Sequence, residues 1–169
     1  MLFRSQINLQ VPWELSNQSQ STLAATLDNA VSAAQTVNVA PVAPAIFTTN
    51  ASGSGQGAIL DTTYRLVDSA NPVAAGSYVL IYCTGLGAVS NQPATGSPAP
   101  SDPLAWSATP TVTIGGAAAN VQFSGLAPGY VGLYQVNAQV PAGSATGSSV
   151  PVVISMGGVT SNAVTMAVE

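Results

Sequence analysis

"LYQVNAQV" (133–140) sets Leu133, Gln135, Asn137 and Gln139 in alternation with Tyr134, Val136, Ala138 and Val140. A period of two places one apolar and one amide-rich face on an extended strand, the pattern of a β-strand half buried in a sheet. Runs of Val, Ile, Thr and Tyr with the same rhythm lie between closely spaced Gly and Pro throughout the chain. They predict strands at 6–11, 22–27, 36–40, 45–49, 57–60, 78–83, 111–115, 120–125, 133–140, 150–156 and 162–168. The expected class is therefore all-β.

Part of this stretch is written twice. Gln135, Asn137, Gln139, Val140 and Pro141 repeat Gln6, Asn8, Gln10, Val11 and Pro12 at a shift of 135 − 6 = 129 residues. Beyond it, "STLAATLDNAVSAAQTVNVA" (21–40) keeps the apolar rhythm of "VPVVISMGGVTSNAVTMAVE" (150–169). Leu23, Leu27 and Ala30 also fit helical spacing, but the later copy reads as strand, turn, strand around Gly157 and Gly158, so the earlier copy is expected to be a hairpin as well. Closely spaced prolines in "APVAPAI" (40–46) divide the chain into 1–40, the terminal strands of a partial domain, and 41–169, a complete sandwich. Its expected core includes Ile46, Phe47, Val79, Ile81, Cys83, Val112, Ile114, Val121, Phe123, Val136, Val152 and Ile154. "ATGSPAPSDPLAWSATP" (94–110) reads as one long strandless loop, the usual place for a binding function on a rigid sandwich.

Composition narrows the function. The 169 residues carry a net charge of −4 and only 5% charged residues, against about 25% in ordinary domains. With Arg4 and Arg65 the only basic residues, no cationic footprint for nucleic acid exists. The longest compact apolar run, "YVLIYC" (78–83), is far short of the roughly 18 residues that a membrane helix needs. It reads as a buried strand with Cys83 as a small apolar thiol. The absence of His removes Ser-His-Asp and Cys-His arrangements and imidazole metal sites.

The segments "PAIFTTN", "GQGAILD", "ANPVAAGSYVLIYCTGLGAV", "VTIGGAAANVQFSGLAPG", "GLYQVNAQVPAG" and "PVVISMGGVTSNAVTMAV" together resemble the uncharacterised C-terminal domain found in many large secreted proteins of Solibacter-type soil bacteria. That family is in turn similar to TIG/IPT immunoglobulin-like domains. The resemblance implies an immunoglobulin-like β-sandwich and a secreted setting, and brings no catalytic residues. It also implies that "QINLQVPWEL" closes a second domain of the same kind.

Individual residues add little chemistry. Glu14, Asp28, Asp61, Asp68, Asp102 and Glu169 are the only carboxylates. Asp61 and Asp68 could approach across a hairpin, where a solvated turn pair explains them better than paired acid–base catalysis. No spaced calcium loop occurs, and "GSGQG" (53–57) lacks the Lys and helix of a phosphate loop. Trp13, Trp106 and Tyr130 offer aromatic faces to sugar rings, with Trp106 in the long loop the best placed. The amides of the repeated motif are expected to face inward and pair in ladders between strands. Ile7, Leu9, Val11, Leu23, Leu27 and Val37 are the assembly candidates, apolar positions on strands that lack the first half of a sandwich. The sequence thus predicts a non-catalytic extracellular or cell-surface module, without cofactor or metal. It would assemble head-to-tail with other copies of itself by β-strand complementation into a fibre or stalk. The alternative is an adhesion or glycan-binding module whose partner is a surface polysaccharide.

Overall fold

The computed structural model describes residues 7–169; Arg4 and Gln6 lie outside them. The described residues contain no α-helix. After a single 3₁₀ turn at Trp13–Leu15 come β1 (Gln20–Leu23), β2 (Thr26–Leu27), β3 (Ala30–Val31), β4 (Gln35–Asn38), β5 (Ala45–Ile46), β6 (Ile59–Asp61) and β7 (Tyr78–Thr84). They are followed by β8 (Thr111–Ile114), β9 (Ala117–Leu126), β10 (Tyr134–Gln139), β11 (Gly147–Met156), β12 (Val159–Thr160) and β13 (Val164–Val168).

Strands β5 to β13 form one nine-stranded sheet with the path β12-β11-β8-β9-β10-β7-β5; β13 pairs with β11 and β6 with β7. At its heart lies β10. Tyr134, Val136 and Ala138 point inward and are buried, whereas Gln135, Asn137 and Gln139 remain half-exposed on the other face. Val136 stands opposite Ile81 of β7 on one side and Ser124 of β9 on the other.

The sheet folds back until its two ends meet. Gly57 N–H donates to Thr165 O at 2.9 Å, Thr165 N–H to Gly55 O at 2.7 Å, and Val73 N–H to Ala167 O at 3.2 Å, in parallel register. The inward faces, among them Ile59, Val79, Ile81, Cys83, Val112, Ile114, Val152, Ile154 and Met166, then meet in one core. The fold is an all-β, immunoglobulin-like sandwich.

Unpaired strand edges recruit foreign strands, and in this body two further edges are covered. Ile46 N–H donates to Asn162 Oδ1 at 2.7 Å, and Asn162 Nδ2 donates to Ile46 O and to Gly53 O at 3.0 and 2.8 Å, closing the outer edge of β5. The second half of β9 is covered by residues 105–107. Leu126 N–H donates to Ala105 O and Ser107 N–H to Ser124 O, both at 2.9 Å. Gly125 is required there, since a Cβ would stand 2.1 Å from Ala105 O. The 94–110 segment holds no strand, as expected, but an isolated bridge from Trp106 to Gly125 on the vacant edge of β9 orders its second half.

Other expectations are corrected by the same logic. Residues 7–11 form no strand, although the same phrase is β10 later in the chain; β10 is paired on both edges, whereas no described strand lies beside 7–11. Phe47 is exposed, because its neighbour Ile46 takes the inward position and alternation turns Phe47 outward. Val121 is only partly buried at the core margin. The motif's amides in β10 face outward, not inward.

Burial pushes the Cys83 thiol up to about 12. It does the same to the Tyr134 hydroxyl, with a smaller contribution from Cys83, also to about 12; that hydroxyl donates to Gly87 O. Both groups are held neutral by the fold, so their contribution to stability is full below their ordinary values and falls as pH rises through the alkaline range. In native protein at pH 8 the Cys83 thiol is expected not to react with a disulfide reagent until denaturant unfolds the chain; prompt stoichiometric reaction would contradict its burial. Ile81→Ala empties a fully buried site between β6 and β10 and is expected to cost about 2–5 kcal/mol in urea unfolding.

Candidate functional site

Strands β1 to β4 stand apart from the sandwich as a separate two-tier hairpin. β1 pairs with β4, and β2 with β3 around Asp28 and Asn29, whose φ values of 47° and 67° make the tight turn. A shift of 129 residues superimposes this hairpin on β11–β13. Ser21↔Val37, Thr22↔Thr36 and Leu23↔Gln35 reproduce Val150↔Met166, Pro151↔Thr165 and Val152↔Val164. Thr26↔Val31 and Leu27↔Ala30 reproduce Ser155↔Thr160 and Met156↔Val159, and the turn becomes Gly157 and Gly158 with φ of 57° and 82°.

Even the stitches between tiers are copied. Ala25 N–H donates to Ser32 Oγ and Ser32 N–H to Ala25 O at 3.0 and 2.9 Å; Ile154 and Ser161 make the same pair at 3.0 and 2.8 Å. The repeat is thus one of backbone geometry as well as sequence.

The surroundings of the two copies differ. Val152 and Met156 are 0% and 7% exposed, but their counterparts Leu23 and Leu27 are 45% and 76% exposed. Val37 is likewise open where Met166 is buried. In the second copy β8 lies along residues 152–155 and residues 55–57 and 73 lie along β13. No described strand lies along the corresponding edges of β1 and β4. The clamp residue also differs, Ala33 standing where the second copy has Asn162. Among the sequence-chosen residues, Leu23, Leu27 and Val37 thus share this hairpin, while Ile7, Leu9 and Val11 are exposed on the segment before it.

That segment is docked at its far end. Gln10 Oε1 accepts from Gly96 N–H at 2.7 Å, Trp13 N–H donates to Thr95 Oγ1 at 3.1 Å, and Thr95 Oγ1–H donates to Glu14 Oε2 at 2.8 Å. Backbone hydrogen bonding at Glu14, then Thr95, lowers the carboxyl below its ordinary value. Trp13 is half-buried against the sandwich core, so packing accounts for its position. The sequence did not single out Gln10, Thr95 or Gly96 for this contact, since nothing in a local pattern reports a partner more than eighty residues away.

Two carboxylates, Asp61 and Asp68, are engaged in local hydrogen bonds. Asp61 accepts from Thr63 N–H, Thr63 Oγ1–H and Arg65 N–H at 2.8, 2.6 and 3.0 Å, and from Asn71 Nδ2 at 3.0 Å. The Arg65 guanidinium closes the site at 3.1 Å. Hydrogen bonds from Thr63, then Asn71 and the Arg65 backbone, hold the Asp61 carboxyl far below the usual carboxylate range. Asp68 accepts from Ala70 N–H and Asn71 N–H at 2.9 and 3.2 Å. Asn71 thus joins the two acids, and Asp61 is a buried anchor, not a solvated turn residue. No group of three or more His, Cys, Asp or Glu among the described residues is placed to hold a metal.

Trp106 is 46% exposed, yet its position is fixed. Its N–H donates to Ser90 Oγ at 3.1 Å, its carbonyl accepts from Ser90 N–H at 2.8 Å, and its indole packs edge-on against Phe123 at 4.8 Å and 69°. The ring borders a depression of about 320 Å³ that Gln122, Gln135 and Asn137 also line. Tyr130 is exposed, and its N–H and carbonyl bond within the loops around Ala99 and Ala127.

In comparisons with known proteins, no family model matches the chain, and no curated protein or solved structure matches it.

Because the folded-state pKa of Asp61 is depressed, its stabilisation is present above the ordinary carboxylate pKa and is lost as pH falls through the acid range. Thermal unfolding of Asp61→Asn between pH 7 and pH 2 is expected to show a lower midpoint than the parent at pH 7 and a shallower decline towards acid. Parallel declines would remove Asp61 from that role.

Proposed function

We propose that this protein is a non-catalytic structural module that works outside the cell or at its surface, where copies join head-to-tail through the β1–β4 hairpin by strand pairing. The observation that carries the reading is the hairpin itself. It reproduces the register of β11–β13, but its apolar face, with Leu23, Leu27 and Val37, is open. Its open backbone edges favour a partner that is itself a strand, and in a sheet extended that way the apolar side chains of adjoining copies would lie side by side, removing part of their surface from water at about 25 cal/mol per Å².

The mode of joining follows from residue identity. If the hairpin of one copy replaced β11–β13 of another, Ala25 would stand where Ile154 is buried and Gln35 where Val164 is buried. The exchange would leave a cavity and an unpaired amide in the core, each costly. Edge pairing avoids both costs. The outer edge of β4 in one copy lies along β1 of the next, and since the two edges differ, the contact is heterologous and extends instead of closing. The low charge, 5% of residues, offers little repulsion between stacked copies.

Sedimentation and negative-stain microscopy of the full chain provide the test. The parent is expected to form concentration-dependent species larger than a dimer. Ala24→Pro, at the position whose counterpart Val153 pairs with Thr113 of β8, is expected to leave a monomer with the parent's unfolding midpoint. A parent that stays monomeric at millimolar concentration would refute the reading.

A further inference from the structure

The geometry points to a second surface, independent of the hairpin: the outward face of β9 and β10 is a binding platform for a linear, neutral polysaccharide, with Trp106 at one end as the stacking residue. Its chemistry is written along the two strands. Gln135, Asn137 and Gln139 project outward at every second position of β10, spanning about 13 Å, and Gln139 stands opposite Asn120 of β9. Gln122, Gln135 and Asn137 line the depression beside Trp106, and Asn120 and Gln139 line a second of about 350 Å³ further along the same face. The two depressions thus lie beside successive stretches of the amide row, on either side of the register shift between Asn137 and Ala138.

The hydrogen-bonding capacity of this row is largely unspent. Gln135 Nε2 donates to Asn137 Oδ1 at 2.7 Å and Gln139 Nε2 to Gly76 O at 2.9 Å. These bonds orient the amides and leave Gln135 Oε1, Asn137 Nδ2 and Gln139 Oε1 to face outward partners. The side chains of Asn120 and Gln122 make no hydrogen bond among the described residues.

A sugar chain matches this combination of groups. Its hydroxyls both donate and accept, as amides do, and the C–H face of a pyranose suits an indole already fixed by Phe123 and Ser90. Neutral sugars are favoured over acidic ones because no charged side chain lines either depression. Arg65, the only basic residue among those described, is paired with Asp61, and the chain as a whole is negative. A purely apolar ligand would strip water from the amides without replacing their hydrogen bonds. The row also gives the "QVNAQ" spelling of β10 a use beyond the fold, since only its inward residues are needed for the core.

Native affinity electrophoresis of the full chain tests the assignment, with gels containing hydroxyethyl cellulose, galactomannan, xyloglucan or dextran, and with alginate and a proline-rich peptide as competing chemistries. At least one neutral polysaccharide is expected to retard the parent. Trp106→Ala is expected to weaken that binding about tenfold or more. Gln122→Ala, at an exposed position without intramolecular side-chain bonds, is expected to weaken it measurably without altering the unfolding midpoint. Val159→Asn, at an exposed position of β12 that lines neither depression, is expected to bind as the parent does. The proposal is overturned if none of the four neutral polymers retards the chain, or if alginate or the peptide alone does. It is equally overturned if both Trp106→Ala and Gln122→Ala bind as the parent. Because Ala24→Pro leaves this face untouched, loss of assembly and loss of sugar binding are separately readable.

Discussion

Closure of the sheet by β13 is the constraint on which the sandwich depends. A nine-stranded sheet with one apolar face has to bury that face and leave no ladder of backbone groups open. Here the hydrogen bonds between residues 55–57 and 73 and the outer edge of β13 do both. They bring Ile59 and Val73 over the core on one side and Val164, Met166 and Val168 on the other. Asn162 at β5 and residues 105–107 at β9 complete the cover. The same constraint explains the hairpin by contrast. It repeats the strands that perform the closing, yet the edge of β4 has no counterpart of Val73, and Ala33 lacks the amide with which Asn162 reaches its neighbour.

The elements most legible in the sequence were those whose pattern records their own surroundings. "YVLIYC" is apolar throughout because Val79, Leu80, Ile81 and Cys83 are all buried between strands, and the alternation of β10 reports a strand with one face in the core. The repeat gave away the hairpin, because a turn of Asp28 and Asn29 at the position of Gly157 and Gly158 needs the same positive φ. What escaped the sequence was pairing that depends on a distant vacancy. "QINLQV" spells a strand, but strands are made by neighbouring strands, and no described strand lies beside residues 7–11. The extended path of 105–107 was hidden for the opposite reason, since a Pro-rich context conceals a segment that the open edge of β9 puts in order.

The candidate site was legible to a similar degree. Trp106 could be chosen from its place in a long loop, but the surface it joins could not. Asn120 and Gln122 look like ordinary polar strand residues until β9 is laid beside β10, and the expectation of inward amides reversed the role of the motif. Trp13 shows the same limit: a local reading sees an aromatic ring near the start of the chain and cannot see the sandwich it packs against.

The docked segment ahead of the hairpin has a mechanical consequence. Its contacts at Gly96 and Thr95, with Trp13 against the core, fasten the chain to the sandwich before it enters β1. At the far end, β13 leaves alongside residues 56 and 73 in parallel register. A pull along the chain would slide β13 lengthwise past these neighbours, loading several hydrogen bonds together, while the docked segment would yield contact by contact. The molecule therefore has a soft joint in front of a stiff body, and under tension it would first lengthen at residues 10–14 while the sandwich kept its shape.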